Sequence, residues 1–183
     1  MKPENCALII LASGLSERFG KADKMIADFK GKPLVKHVID AAENIPFAER
    51  FAVIAKSSEQ RRKLFNYEGY SLIENASPEV GQGESLRLAA VTAQARGHKA
   101  ICVMLGDMPF IDTNDISNLL HNLSDKDRAI SYCNKTILPP AIFANDALSE
   151  LANIDPKGGA KTCLLYTSPS PRDLSTSRMP SSA

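Results

Sequence analysis

Between Leu11 and Lys24 the sequence reads LASGLSERFGKADK. Ala12, Ser13 and Gly14 are small enough for main-chain N–H groups to come close to a ligand. A run of such N–H groups forms a concave anion site. Arg18 and Lys24 add two fixed positive charges on the same stretch. Fixed cations beside an anion site suit a triphosphate, whose charge must be balanced when a phosphorus centre is attacked. The stretch is neither GxxxxGK(S/T) nor GxGxxG, so two common phosphate-loop patterns are excluded. Read alone, it is equally a plain glycine-containing turn with Arg and Lys on its surface.

A second stretch, LGDMP at Leu105–Pro109, places Asp107 just after an apolar run. Magnesium takes one or two carboxylates and fills its remaining positions with water and phosphate oxygens, so Asp107 is a candidate ligand. Its plain alternative is a turn aspartate bonding its own backbone beside Pro109. A third stretch, NASPEVGQGESL at Asn75–Leu86, is a polar loop with two glycines that runs into a helical pattern, with Ser85 in the first turn. Such a loop can close over a base and ribose, or it is an ordinary helix entry.

These residues need elements to hold them. Ala7–Leu11, Phe51–Ala55 and Ala100–Leu105 are short, continuously apolar runs, the mark of parallel strands buried on both faces. Tyr70–Ile73 and a weaker Ala129–Tyr132 add further strands. Pro33 opens a helical pattern carried by Leu34, Val38, Ala41, Ala42 and Ile45. Gln60–Phe65 is a short helix. Gly83–Arg96 is a longer one stopped by Gly97, and Thr113 is positioned to cap a helix bearing Ile116, Leu119, Leu120 and Leu123. Ala141–Leu151 reads as mixed. Strands alternating with helices predict a three-layer α/β/α, Rossmann-like fold with a mostly parallel sheet. Ligands collect at the carboxyl ends of such strands, so the Ala12–Lys24 and Gly106–Pro109 loops are expected at one rim.

Composition narrows the class. The 183 residues include 44% apolar and 23% charged side chains, with a net charge of +1. Enough apolar surface exists for a normal core, and no basic excess points to nucleic acid. Four cysteines at 6, 102, 133 and 163 form no CxxC, and His37, His98 and His121 are scattered, so neither a disulfide framework nor a zinc site is read. No apolar run reaches membrane-spanning length, and MKPENCALII lacks a signal-peptide layout. The expectation is a cytoplasmic domain.

The text changes at Cys163. Of the 21 residues from Cys163 to Ala183, eleven are Ser, Thr or Pro, with no apolar period. CLLYTSPSPRD and SRMPSSA resemble the two ends of a translated sequencing adapter. We therefore expect one domain over residues 1–162, followed by a disordered, adapter-derived tail, with the natural chain continuing differently beyond Thr162.

Taken together, LASGLSERFGKADK, FKGKPLVKHV (Phe29–Val38), IEN (Ile73–Asn75) and GDMP (Gly106–Pro109) resemble, in order, the signatures of the MobA-like nucleotidyltransferases. That family includes the molybdenum cofactor guanylyl- and cytidylyltransferases. Arg18, Gly20 and Lys24 fall in register with its LA(A/G)GxSxRMGxxK signature, and Phe19 replaces Met. The resemblance implies that Leu11, Ala12, Ser13 and Gly14 frame the base and that Asn75 and Ser85 contact the nucleotide. It implies that Arg18 meets the triphosphate, that Lys24 contacts base or phosphates, and that Asp107 binds both nucleotide and Mg²⁺. Arg18, Lys24 and Asp107 would then carry catalysis, with no covalent nucleophile. Where cytidylyl members have GDxGAR this chain has PKGGAK, Pro156–Lys161, with Lys157 in the acidic position. A later acidic DxD-type strand of the family lies outside the sequence.

The implied reaction is Mg²⁺-dependent transfer of a nucleoside monophosphate to a phosphate-bearing acceptor, with molybdopterin expected as acceptor. Ser13 stands where cytidylyl members have Ala and guanylyl members have Gly, which favours CTP over GTP. The alternatives are a guanylyl or sugar-phosphate enzyme, and a non-catalytic module that binds nucleotide or acts as a molybdoenzyme chaperone, with a molybdoenzyme or its chaperone as a partner.

Overall fold

The computed structural model describes residues 1–15, 22–123, 126–133 and 136–158. Arg18, Gly20 and the segment 159–183 therefore lie outside the described residues. In chain order the elements are β1 (Ala7–Ala12), β2 (Asp28–Phe29), β3 (Lys32–Pro33), α1 (Leu34–Ala42), β4 (Glu49–Ala55), α2 (Glu59–Tyr67) and β5 (Ser71–Asn75). They continue with α3 (Gln82–Ala95), β6 (Ala100–Leu105), α4 (Thr113–Leu123), β7 (Arg128–Cys133), β8 (Thr136–Ala144) and α5 (Asn145–Ala152).

The central strands are apolar throughout because both of their faces are covered. Leu8, Ile10 and Ala12 of β1 point into one core with Val35, Val38 and Ile39 of α1, Phe65 of α2 and Ile116 and Leu119 of α4. Ala7, Ile9 and Leu11 point into the other, against Leu86, Ala89 and Ala90 of α3 and Leu148 of α5. Alternation of side chains along a strand thus builds the three layers.

The sheet order is β5-β4-β1-β6-β8-β7. The first four strands are parallel, and β8 and β7 complete the sheet antiparallel to their neighbours. From β1 the chain moves outward through β4 to β5, then returns through α3 to β6 on the opposite side of β1. The carboxyl ends of β1 and β6 therefore flank the point where strand order reverses, the usual ligand crevice of an open α/β sheet. Among the described residues, no helix is long and apolar enough to cross a membrane.

Several local expectations are corrected. The cap of α4 is Asp112, whose Oδ1 accepts from the backbone N–H of Asn114 (2.8 Å) and Asp115 (3.0 Å). Thr113 instead donates its hydroxyl to the carbonyl of Ala41, tying α4 to α1. Pro33 precedes α1 rather than opening it, and closes a hairpin whose Lys30–Gly31 turn has φ of 54° and 89°. Two positive φ values in a two-residue loop match the twist of the paired strands. The mixed segment 141–151 resolves into the end of β8 and α5. Pro139 and Pro140 sit where the β7–β8 register shifts, and the Ser131 hydroxyl donates to the Pro140 carbonyl there.

Candidate functional site

The β1 and β6 ends are locked in register. Leu11 is paired with Leu105, and the Gly106 N–H continues the ladder by donating to the Leu11 carbonyl at 3.0 Å. Ser13 and Asp107 therefore emerge side by side at the reversal point. A cleft of about 220 Å³ opens beside them, lined on this side by Leu11, Ser13, Gly14, Met25, Leu105 and Asp107. Its opposite wall is Pro78, Gly81, Gln82 and Ser85.

That wall is the entry of α3. Gly81 has φ 113° and ψ −171°, a conformation that disfavours any side chain, and it leads directly into the helix. The first turn of a 14-residue helix thus faces the cleft, and the unpaired N–H groups and dipole there favour an anion. Glu84 in that turn does not oppose this. Its hydrogen bonds from Arg87 hold its carboxyl below the usual range and neutralise it locally.

A small buried network fixes the wall. Ser13 Oγ lies 2.5 Å from Ser85 Oγ, which also accepts from Asn75 Nδ2 at 3.0 Å. Asn75 Oδ1 accepts from the Ser77 N–H at 2.8 Å. Asn75 is fully buried, so it stands behind the cleft and shapes the loop that borders it. Ala12 is also fully buried, with its side chain in the core on the α1 side. Leu11, Ser13, Gly14, Ser85 and Asp107 line one cleft, whereas Ala12 and Asn75 support it from behind. Arg18 lies outside the described residues.

Lys24 reaches the same mouth and donates to Asp107 Oδ2 at 2.9 Å. Gly106 shows why no side chain precedes Asp107. A Cβ there would stand 3.0 Å from Met25 Sδ and 3.2 Å from Val35 Cγ2. Among the described residues no three His, Cys, Asp or Glu side chains converge on a metal-sized site. Asp107 supplies a single hard oxygen donor, which fits a Mg²⁺ that takes its other ligands from water and phosphate.

One residue outside the sequence motifs completes the site. Arg61 of α2 is only 3% exposed. Its Nε and Nη2 donate to Asp23 at 2.7 and 2.8 Å, and its Nη1 donates to the carbonyls of Ala12 (2.5 Å) and Gly14 (2.8 Å). The only sequence signal was an arginine on the apolar side of a short polar helix, which by itself reads as surface.

The family model of the MobA-like NTP transferase domain matches residues 8–170. The chain belongs to the MobA-like NTP transferase family. This MobA-like chain is 23% identical over 154 residues to the bifunctional protein GlmU of Thermoanaerobacter pseudethanolicus, covering 82% of the chain and 32% of that protein. It is 33% identical over 100 residues to a probable molybdenum cofactor guanylyltransferase of Pyrococcus horikoshii, covering 55% of the chain and 47% of that relative. The chain thus spans about a third of the one relative and under half of the other. In fold it matches the crystal structure of Rv0371c from Mycobacterium tuberculosis H37Rv, with a TM-score of 0.76 at 18% identity over 95% of this chain and 88% of that one. Rv0371c has also been crystallised as a manganese complex.

Proposed function

We propose that this MobA-like domain transfers a nucleoside monophosphate from a triphosphate to a phosphate-bearing acceptor, with CTP as donor and molybdopterin as acceptor. The observation that carries the reading is the Lys24–Asp107 pair at the mouth of a cleft between Ser13 and the start of α3. One wall offers small residues and a helix start to an anion. The other offers a carboxylate to a cation and a lysine to phosphate.

In the reaction the acceptor's phosphate oxygen attacks the α-phosphorus in line. The bond from that phosphorus to the bridging oxygen breaks, and pyrophosphate departs with the electron pair. No side chain becomes covalently attached, so the chain's work is positioning and charge balance. Asp107 would hold Mg²⁺, which when bound withdraws charge from the phosphate oxygens. Lys24 is placed to exchange Asp107 for a phosphate oxygen. The α3 entry receives the remaining negative charge.

The choice of CTP rests on Ser13. Its side chain is held against Ser85 on the cleft wall, where glycine would leave room for a purine. The Pyrococcus horikoshii relative gives weight to the guanylyl alternative. The deciding experiment incubates the protein with each NTP, Mg²⁺ and molybdopterin and measures pyrophosphate release. Release with CTP well above GTP supports the reading. Release with GTP alone reassigns the base. Tight nucleotide binding without release makes the domain a binding module.

A further inference from the structure

The main chain of Ser13 and Gly14 borders the nucleotide cleft, and its N–H groups can meet a phosphate only if the peptides there face the right way. Along β1, Leu11 directs its carbonyl toward β6, where it accepts from the Gly106 N–H. Ala12 directs its carbonyl the other way, to Arg61 Nη1, and the Gly14 carbonyl is drawn to the same nitrogen. In a planar trans peptide the N–H lies antiparallel to the preceding carbonyl. The Ser13 and Leu15 N–H groups therefore point away from Arg61. For Ser13 that direction is the β6 side, where the cleft and Asp107 lie.

The same guanidinium grips Asp23 with two further bonds, and Asp23 Oδ1 also accepts from the Met25 N–H at 2.9 Å. Arg61 thus joins the strand-end side of this stretch (Ala12, Gly14) to its far side (Asp23), next to Lys24. A flat, forked guanidinium can reach several acceptors in one plane, which an ammonium cannot. Asp23 balances the buried charge, so Arg61 contributes orientation rather than net positive potential.

We infer that Arg61, with Asp23, is a positioning residue that turns the Ser13 amide toward the triphosphate and holds Lys24 beside Asp107. This rests on the nucleotidyltransferase reading of the cleft. The role makes a demand that simple structural support does not: loss of Arg61 must weaken binding in proportion to the phosphates on the ligand.

The test measures affinities of the whole chain for cytidine, CMP and CTP with Mg²⁺, for wild type, Arg61→Lys and Arg61→Met. Melting curves identify a temperature at which each variant is folded. If Arg61→Met does not fold, Arg61→Lys decides, because lysine retains the charge near Asp23 without spanning both carbonyls. The expected result is a loss of at least about tenfold for CTP, the equivalent of one good hydrogen bond, and less than about twofold for cytidine. CTP affinity within about twofold of wild type in a folded variant overturns the inference, as does an equal loss for cytidine and CTP. Wild type that binds neither these ligands nor guanosine, GMP and GTP with Mg²⁺ overturns the nucleotidyltransferase reading itself, and the role of Arg61 with it; if only the guanosine series binds, the same comparison is made with that series.

Discussion

Lys24 and Asp107 are 83 positions apart in the chain and 2.9 Å apart in space. Their side chains are 42% and 36% exposed, so the pair is hydrated and worth only about 0–1 kcal/mol. A contact this weak is easily traded. When phosphate and a divalent cation arrive, lysine and aspartate can each take a stronger partner of opposite charge. The pair therefore reads as a site held ready rather than as a structural staple.

That view separates activity from stability at Asp107. Asp107→Asn is expected to lower metal-dependent pyrophosphate release by about a hundredfold or more, since one cation ligand is worth several kcal/mol to the transition state. The melting temperature should stay within about 3 °C of wild type, because only an exposed pair is lost. Steady-state kinetics and a thermal melt on the same preparation check both parts. Near-wild-type turnover would leave Asp107 as a turn residue.

At Ser13 the side chain has two separable features, its Cβ and its hydroxyl bonded to Ser85. If bulk sets the base, Ser13→Gly should narrow a CTP preference by about 1–3 kcal/mol while Ser13→Ala keeps it. If the hydroxyl matters through Ser85, the two variants should behave alike. Comparing kcat/KM for CTP and GTP across the three proteins distinguishes the cases.

The packing around Gly106 makes a stability prediction. Gly106→Val drives two methyl groups into Met25 and Val35, and overpacking of this kind costs about 1–3 kcal/mol. Gly106→Ala should cost less, because the flexible Met25 thioether can give way. Urea denaturation should rank the two variants in that order below wild type.

The cysteines of the core offer a chemical check on the layers. Burial pushes the Cys6 thiol up to about 12 and raises Cys102 as well. Thiolate is the reactive form, so neither residue should be alkylated at pH 8 while the chain is folded, and both should label in guanidinium. Peptide mass spectrometry reads each site separately. Native labelling of Cys102 would contradict the placement of β6 at the centre of the sheet.

Much of this arrangement is legible in sequence where residue type alone decides. The runs ALIILA and AICVML can be buried on both faces only in the middle of a sheet, and that places their following loops together. What is not legible depends on partners remote in the chain. Arg61 looks like any arginine of a polar helix until its contacts with Ala12 and Gly14 are seen. Asn75 lies in a recognisable motif, yet only the fold shows it behind the cleft wall rather than in it. β8 is obscured because two adjacent prolines usually argue against a strand, and here they coincide with a shift of register.

The central claim is that the crevice between β1, β6 and the start of α3 binds a nucleoside triphosphate. Its most direct test is an amide-resolved NMR titration of the wild-type chain with CTP and Mg²⁺. The account predicts saturable shifts concentrated at Ser13, Gly14, Gln82, Ser85 and Asp107. Saturable binding with shifts confined to other surfaces, or no shifts at any of these amides at saturating nucleotide, would contradict it.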